Sequence, residues 1–117
     1  MSLDKHFFMD FNKALMNVDV KSVIEKVSDN VVWRMVGTET IKGKEKLEAL
    51  LSDVKSDEGF EIDLEHIIIE GNKAALNGTI HSLSNQGEWS HYSFCDMYLV
   101  NENDNKITEI ISYVQSL

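Results

Sequence analysis

At Gly59 the spacing of the apolar residues changes from three or four to two, dividing the chain into a helical part and a sheet part. Before that point Leu3, Phe7, Phe11, Leu15 and Val18 recur at helical spacing, which predicts an amphipathic helix starting near Ser2 or Asp4. Asp19 then offers a side-chain acceptor to cap a short second helix with Val20, Ile24 and Val27 on one face, and Ser28-Asp29-Asn30 reads as its end. Val31 to Val36 is β-branched and aromatic and reads as a strand, turning at Gly37 into a short extension at Thr40-Ile41. Beyond Gly43, Leu47, Leu50, Leu51 and Val54 form the stripe of a third helix ending near Ser56.

After Gly59, Phe60, Ile62 and Leu64 alternate with Glu61, Asp63 and Glu65, and three more strand-like runs follow. The separators Glu70-Gly71-Asn72, Ser84 to Gly87 and Asn101 to Asn105 suit hairpins between antiparallel neighbours, and Gly78 is the expected bend point of its strand. Each helix must bury a stripe and the sheet must bury a face. The expected fold is therefore α+β, with three helices packed on a curved, mainly antiparallel sheet.

A chain of 117 residues is enough for one core, so residues 1–117 read as a single domain. With 20 acidic against 11 basic side chains the net charge is −9, which opposes phosphate backbones and anionic membranes; no nucleic-acid or membrane partner is expected. Apolar runs such as Ile67-Ile68-Ile69 fall far short of the ~20 residues that span a bilayer, and Met1 to Asp10 lacks the layout of a signal peptide. Cys95 is the one cysteine, so no internal disulfide or zinc-type cysteine spacing exists, and a cytoplasmic location is expected.

Several stretches together resemble the nuclear transport factor 2-like superfamily, in its SnoaL-like and ketosteroid-isomerase-like branch. They are the entry Phe11-Asn12-Lys13-Ala14-Leu15 to Asp19, the turn Val36-Gly37-Thr38-Glu39-Thr40-Ile41-Lys42-Gly43, the strand Phe94-Cys95-Asp96-Met97-Tyr98, and the closing Asn105-Lys106-Ile107-Thr108-Glu109-Ile110. The resemblance covers nearly the whole chain and implies a cystatin-like cone: helices and the concave sheet face enclose a pocket, and the convex face pairs two subunits. If Asp96 points into the cone as its family counterpart does, alternation brings Tyr92, Phe94 and Tyr98 inward with it and turns His91, Ser93, Cys95 and Met97 outward. The same count sends Leu76, Gly78, Ile80 and Ser82 inward, and Ile110, Ser112 and Val114 from the last strand.

Ketosteroid isomerases use an aspartate base, with a tyrosine and a protonated aspartic acid holding the enolate oxygen. Carried onto this chain, the base falls on Arg34, the tyrosine on Phe11 and the protonated acid on Asp96. A guanidinium accepts no proton and a phenyl ring donates no hydrogen bond, so that mechanism is not expected. SnoaL-like cyclases carry an aspartate near the end of the last strand, where this chain has Gln115, an amide that does not titrate.

The expected polar handles are thus Arg34 and Asp96, either as a structural ion pair or as a grip on a ligand oxygen. Phe11, Tyr92, Phe94, Tyr98, Ile80 and Ser112 would line the pocket around them. His81 and His91 share a face of adjacent strands, but two imidazoles make no metal site, and Cys95 reads as a structural thiol. With no phosphate-binding glycine loop, Ser-His-Asp order or HExxH, no cofactor and no metal are expected. Three functions follow as expectations. The first is a homodimer that binds a small apolar or carbonyl-containing ligand in a hollow of about 300 Å³ or more. The second is an isomerase, cyclase or hydrolase using Asp96 as acid or base, and the third a protein-interaction module working through the convex face.

Overall fold

A computed structural model describes residues 4–53, 59–84 and 86–117. The elements follow the order α1 (Lys5–Met16), α2 (Val20–Lys26), β1 (Val27–Met35), β2 (Thr40–Lys42), α3 (Lys44–Asp53), β3 (Gly59–Glu70), β4 (Lys73–Leu83), β5 (Trp89–Asn101) and β6 (Lys106–Ser116). One six-stranded sheet runs β2-β1-β6-β5-β4-β3, antiparallel throughout except where β1 lies parallel to β6. The α+β architecture is the expected one. The predicted stop of α3 near Ser56, the stripe residues Leu3 and Val54, and the side chain of Phe60 lie outside the described residues.

Local chemistry sets the helix ends. Asp4 accepts from the Phe7 amide at 3.1 Å and caps α1, while Asp19 caps α2 by accepting from the Ser22 amide and hydroxyl. At its C-terminus α1 closes with the Asp19 amide bonded to the Ala14 carbonyl and the Val18 amide to that of Leu15. This pair of hydrogen bonds to the last turn needs a left-handed residue, and Val18 fills the place with φ 56°. A β-branched residue is strained there, and Val18 is held by packing against the core.

Two expectations about faces change. The buried stripe of α1 is Phe8, Phe11, Asn12, Ala14 and Leu15, so the helix is rotated from the predicted face and Phe7 is only half buried. Ser28-Asp29-Asn30 does not end an element with a turn; it lies within β1, where the pairing with β6 slips between Val27 and Val32. Five steps of β1 are taken up against two of β6, since Val27 faces Ile107 and Val32 faces Glu109. An irregularity of this kind resets which residues point inward for the rest of the strand.

The core sits between the inner sheet face and the helices, built from Phe8, Phe11, Leu47, Leu76, Tyr98 and Ile110 with their neighbours. On β4 the inward residues Ala74, Leu76, Gly78, Ile80 and Ser82 alternate with their outward neighbours as expected. Gly78 faces Leu64 of β3, and the register of β3 against β4 shifts immediately beyond it, between Leu64 and His66. The bend expected at Gly78 thus coincides with a bulge that turns β3 relative to β4.

Candidate functional site

Alternation along β5 turns Tyr92, Phe94, Asp96 and Tyr98 to the inner face; Phe94, Asp96 and Tyr98 are buried and Tyr92, nearer the start of the strand, is half buried. From β4, Ile80 is buried opposite Tyr92, and from β6, Ser112 is buried opposite Asp96. Above them α1 lays Phe8 in a stacked arrangement on Tyr98 at 6.2 Å and Phe11 edge-on to the same ring at 5.3 Å. These contacts hold the Tyr98 ring from one side and direct its hydroxyl toward Asp96.

Asn12, one step along α1 from Phe11, completes a buried polar cluster. Its amide nitrogen donates to Asp96 Oδ2 at 2.9 Å and to the Tyr98 hydroxyl at 2.7 Å, and the Tyr98 hydroxyl donates to Asp96 Oδ2 at 3.3 Å. The other oxygen of each group, Asp96 Oδ1 and Asn12 Oδ1, has no hydrogen-bond partner among the described residues. Alongside, the Trp33 indole of β1 donates to the Ser112 hydroxyl at 2.9 Å. Burial lifts the Asp96 carboxyl to about 6, although Ser112, Tyr98 and Asn12 favour its charged form. Burial also raises the Tyr98 hydroxyl well above the usual phenol range, helped by the negative charge of Asp96, so it stays a proton donor.

Arg34 is not part of this cluster. Its side chain is 53% exposed on the outer sheet face and pairs with Glu109 at 3.1 Å. The expected pairing of Arg34 with Asp96 inside the cone is therefore corrected: the irregular start of β1 brings Trp33 to the inner face, opposite Ile110, and turns Arg34 away. A one-residue difference in strand register exchanges the two faces. An exposed pair of this kind is worth only about 0–1 kcal/mol, so Arg34 is a surface residue in stability as well as in position. Val114, also expected inside, is 55% exposed.

The residues missed from sequence are Asn12 and Trp33. Asn12 did carry a signal. It stands four residues after Phe8 and three before Leu15, in the middle of an apolar stripe where a poor helix former has no surface reason to be. Against Asn12 opens a cleft of about 610 Å³ between α1 and β3, with walls of Met9, Ile62 and Leu64 and with Lys13 among its lining residues. Asn12 is the contact between this cleft and Asp96.

On the outer face His81 and His91 do meet, Nδ1 to Nδ1 at 2.7 Å, and His81 Nε2 lies 3.1 Å from Asp63 Oδ2. Among the described residues no three metal-ligating side chains come together with the geometry to hold an ion. Cys95 is half buried on that face, and burial, with the nearby charge of Asp96 second, pushes its thiol upward, away from nucleophilic character. Among the described residues no helix is long and apolar enough to cross a membrane.

The SnoaL-like domain family matches residues 8–110, which takes in α1 from Phe8 onward, the sheet up to Ile110, and Asn12, Trp33, Asp96 and Tyr98 of the buried cluster. The chain belongs to the SnoaL-like domain family. Solved structures agree on the fold. An NTF2-like protein of unknown function from Burkholderia pseudomallei superposes with a TM-score of 0.80 at 14% identity, over 98% of this chain and 92% of that one. An LEH-like epoxide hydrolase from Mycobacterium tuberculosis gives 0.76 at 24% identity, over 92% and 79%. A second Mycobacterium tuberculosis protein, solved with estradiol-17β-hemisuccinate, gives 0.73 at 20% identity, over 90% and 88%. No curated protein matches the chain as a relative. In this SnoaL-like domain the cone is NTF2-like, as the sequence implied, but its buried polar group is Asn12, Asp96 and Tyr98 with Ser112 and Trp33 beside it.

Proposed function

We propose that this SnoaL-like domain binds a small, mainly apolar molecule in the cleft between α1 and β3, and that Asp96 exchanges a proton with it. The observation that carries the reading is the half-used carboxylate. Asp96 Oδ2 is held by Asn12 and Tyr98, while Oδ1, equally buried, accepts no hydrogen bond among the described residues. A carboxyl lifted to about 6 is poised to take up and release a proton near neutral pH, which an ordinary aspartate is not. Tyr98 and Asn12 would hold it in one orientation, and Phe94, Ile80 and Tyr92 would form the apolar surroundings. The similar structures that include an epoxide hydrolase and a steroid-ester complex support a small-molecule role.

Isomerisation, cyclisation or hydrolysis of a small carbonyl compound or epoxide is the reaction class this site suits. The test is turnover of a panel of such compounds by the protein and by its Asp96→Asn variant. A substrate processed by the protein should be processed about 10²–10⁴-fold more slowly by the variant, the range for losing a general acid or base. Equal rates would remove Asp96 from the reaction.

The outer sheet face supports a homodimer. Ile68 is 68% exposed, with Val36, Met97 and Tyr113 also open to solvent, and a groove of about 600 Å³ runs across this face past Ile68, Cys95 and Tyr113. An apolar surface of this kind is covered in most stable proteins. Sedimentation equilibrium should give about twice the 13.3 kDa of one chain, and Ile68→Lys should return it to a monomer. A wild-type monomer would instead leave this face for a different protein, as in the interaction-module reading. The lone, half-buried Cys95 suits action in a reducing cytoplasm.

A further inference from the structure

The ion pairs among the described residues are Arg34 with Glu109, Lys44 with Asp29, and His81 with Asp63; Asp96 is in none of them. A carboxylate sealed from water and facing no cation is unusual, because buried charges are ordinarily paired. The side chain that sequence alone would have set against it, Arg34, is engaged on the far side of the sheet. The groups that favour the Asp96 charge are all neutral, Ser112, Tyr98 and Asn12, which orient it without balancing that charge.

Two oxygens of the cluster accept no hydrogen bond among the described residues. Asn12 Nδ2 faces a carboxylate oxygen and the Tyr98 oxygen, which fixes the amide with its oxygen on the other side. Asn12 Oδ1 and Asp96 Oδ1 are thus two buried acceptors in one cluster that take no hydrogen bond among the described residues, with the neutral Ser112 hydroxyl beside the carboxylate. A carboxylate would add further acceptors, and a hydroxyl offers one hydrogen. An ammonium offers three hydrogens, accepts none and brings the missing charge.

The cleft that leads to Asn12 has apolar walls. Met9, Ile62 and Leu64 supply that surface, with Asp10 and Lys13 of α1 along it; Glu61 and Asp63 border it through their strand, but their side chains share the outer sheet face with His81, which the Asp63 carboxylate engages. The chain as a whole carries a net charge of −9, a field that draws cations and repels anions.

We propose that this cleft selects small organic cations, a protonated amine on a short apolar body, with the ammonium received by Asn12 Oδ1 and its charge balanced by Asp96. The inference rests on the binding part of the reading above and concerns recognition, not the proton-transfer step.

Cyclohexylamine, cyclohexanol and cyclohexanecarboxylate share one ring and differ in the group that would meet Asn12. Each is titrated at pH 7.5 into isotopically labelled full-length protein while the backbone amide signals of Asn12, Ile62, Leu64 and Asp96 are followed by NMR. The amine is expected to saturate these shifts at least about tenfold more tightly than the alcohol, a factor that one charge-assisted contact supplies, and the carboxylate to leave them unsaturated. In Asp96→Asn the preference of amine over alcohol should fall to within about twofold. Equal binding of amine and alcohol to the wild-type protein would overturn the cation proposal and leave the cleft-binding reading standing, as would a preference that survives in Asp96→Asn. If none of the three probes moves these signals, both readings fail. The wild-type comparison of the three probes decides the matter without any variant.

Discussion

Replacing Asp96 by Asn is expected to make the protein more stable at neutral pH, by about 3 kcal/mol, while removing the group on which its proposed activity depends. The folded protein holds the Asp96 proton up to a pH of about 6, whereas the unfolded chain releases it near 3.8. Because the folded state binds that proton more tightly, its contribution is fully present below pH 3.8 and is lost as pH rises through about 6, at about 1.4 kcal/mol per pH unit. Above that window the native state carries the whole cost of an unpaired buried charge. An asparagine keeps an oxygen to accept from Asn12 and Tyr98 and carries no charge at any pH.

Urea unfolding of the two proteins across pH 4 to 8 checks this. The curves should nearly coincide at the acid end, separate between about pH 4 and 6, and run parallel beyond. A variant that is less stable than the original at pH 7.5 would mean that the carboxylate is a structural keystone, and the stability cost attributed to it would be wrong. A residue that destabilises the fold and is kept in a sealed cluster is the pattern of a site where function outweighs stability.

The second large effect is expected at Gly78, where alanine should cost about 3 kcal/mol or more. A Cβ at this position would run into the Asp63 carbonyl, with the Leu64 backbone close behind it, so neither a rotamer change nor a flexible neighbour can relieve the collision. Gly78 also faces Phe94 on its other side, which leaves no room for the strand to retreat. The relief available is for β3, the edge strand, to move away from β4 at its bulge, which would widen the cleft against α1. Chemical denaturation should report the loss of stability, and amide exchange should rise first in β3. A stability within about 0.5 kcal/mol of the original would mean that the Asp63 carbonyl does not confine position 78.

Much of this could be read from the order of residues. Strands β3 to β6 announce themselves because a sheet with one buried face forces alternation, and the inward set Tyr92, Phe94, Asp96 and Tyr98 is the set observed. The cap at Asp19 and the irregular step at Gly78 are local chemistry and were equally legible, and the start of α1 was narrowed to Ser2 or Asp4, of which Asp4 is the cap. The SnoaL-like resemblance carried Asp96 to the right place but Arg34 to the wrong one. Spacing along β1 cannot reveal that five steps of one strand are consumed against two of another.

What the sequence alone determined is the set of elements, their order and the faces of the regular strands, because each of these depends on neighbours within a few positions. Only the tertiary structure decided that α1 turns Asn12 onto Asp96 and Tyr98, that Trp33 and not Arg34 looks inward, and that the carboxylate meets no cation among the described residues. Those are matters of how one element is rotated or slipped against another. The free energy that sets them comes from burial summed over contacts between residues as far apart as Asn12 and Asp96, which no local pattern records.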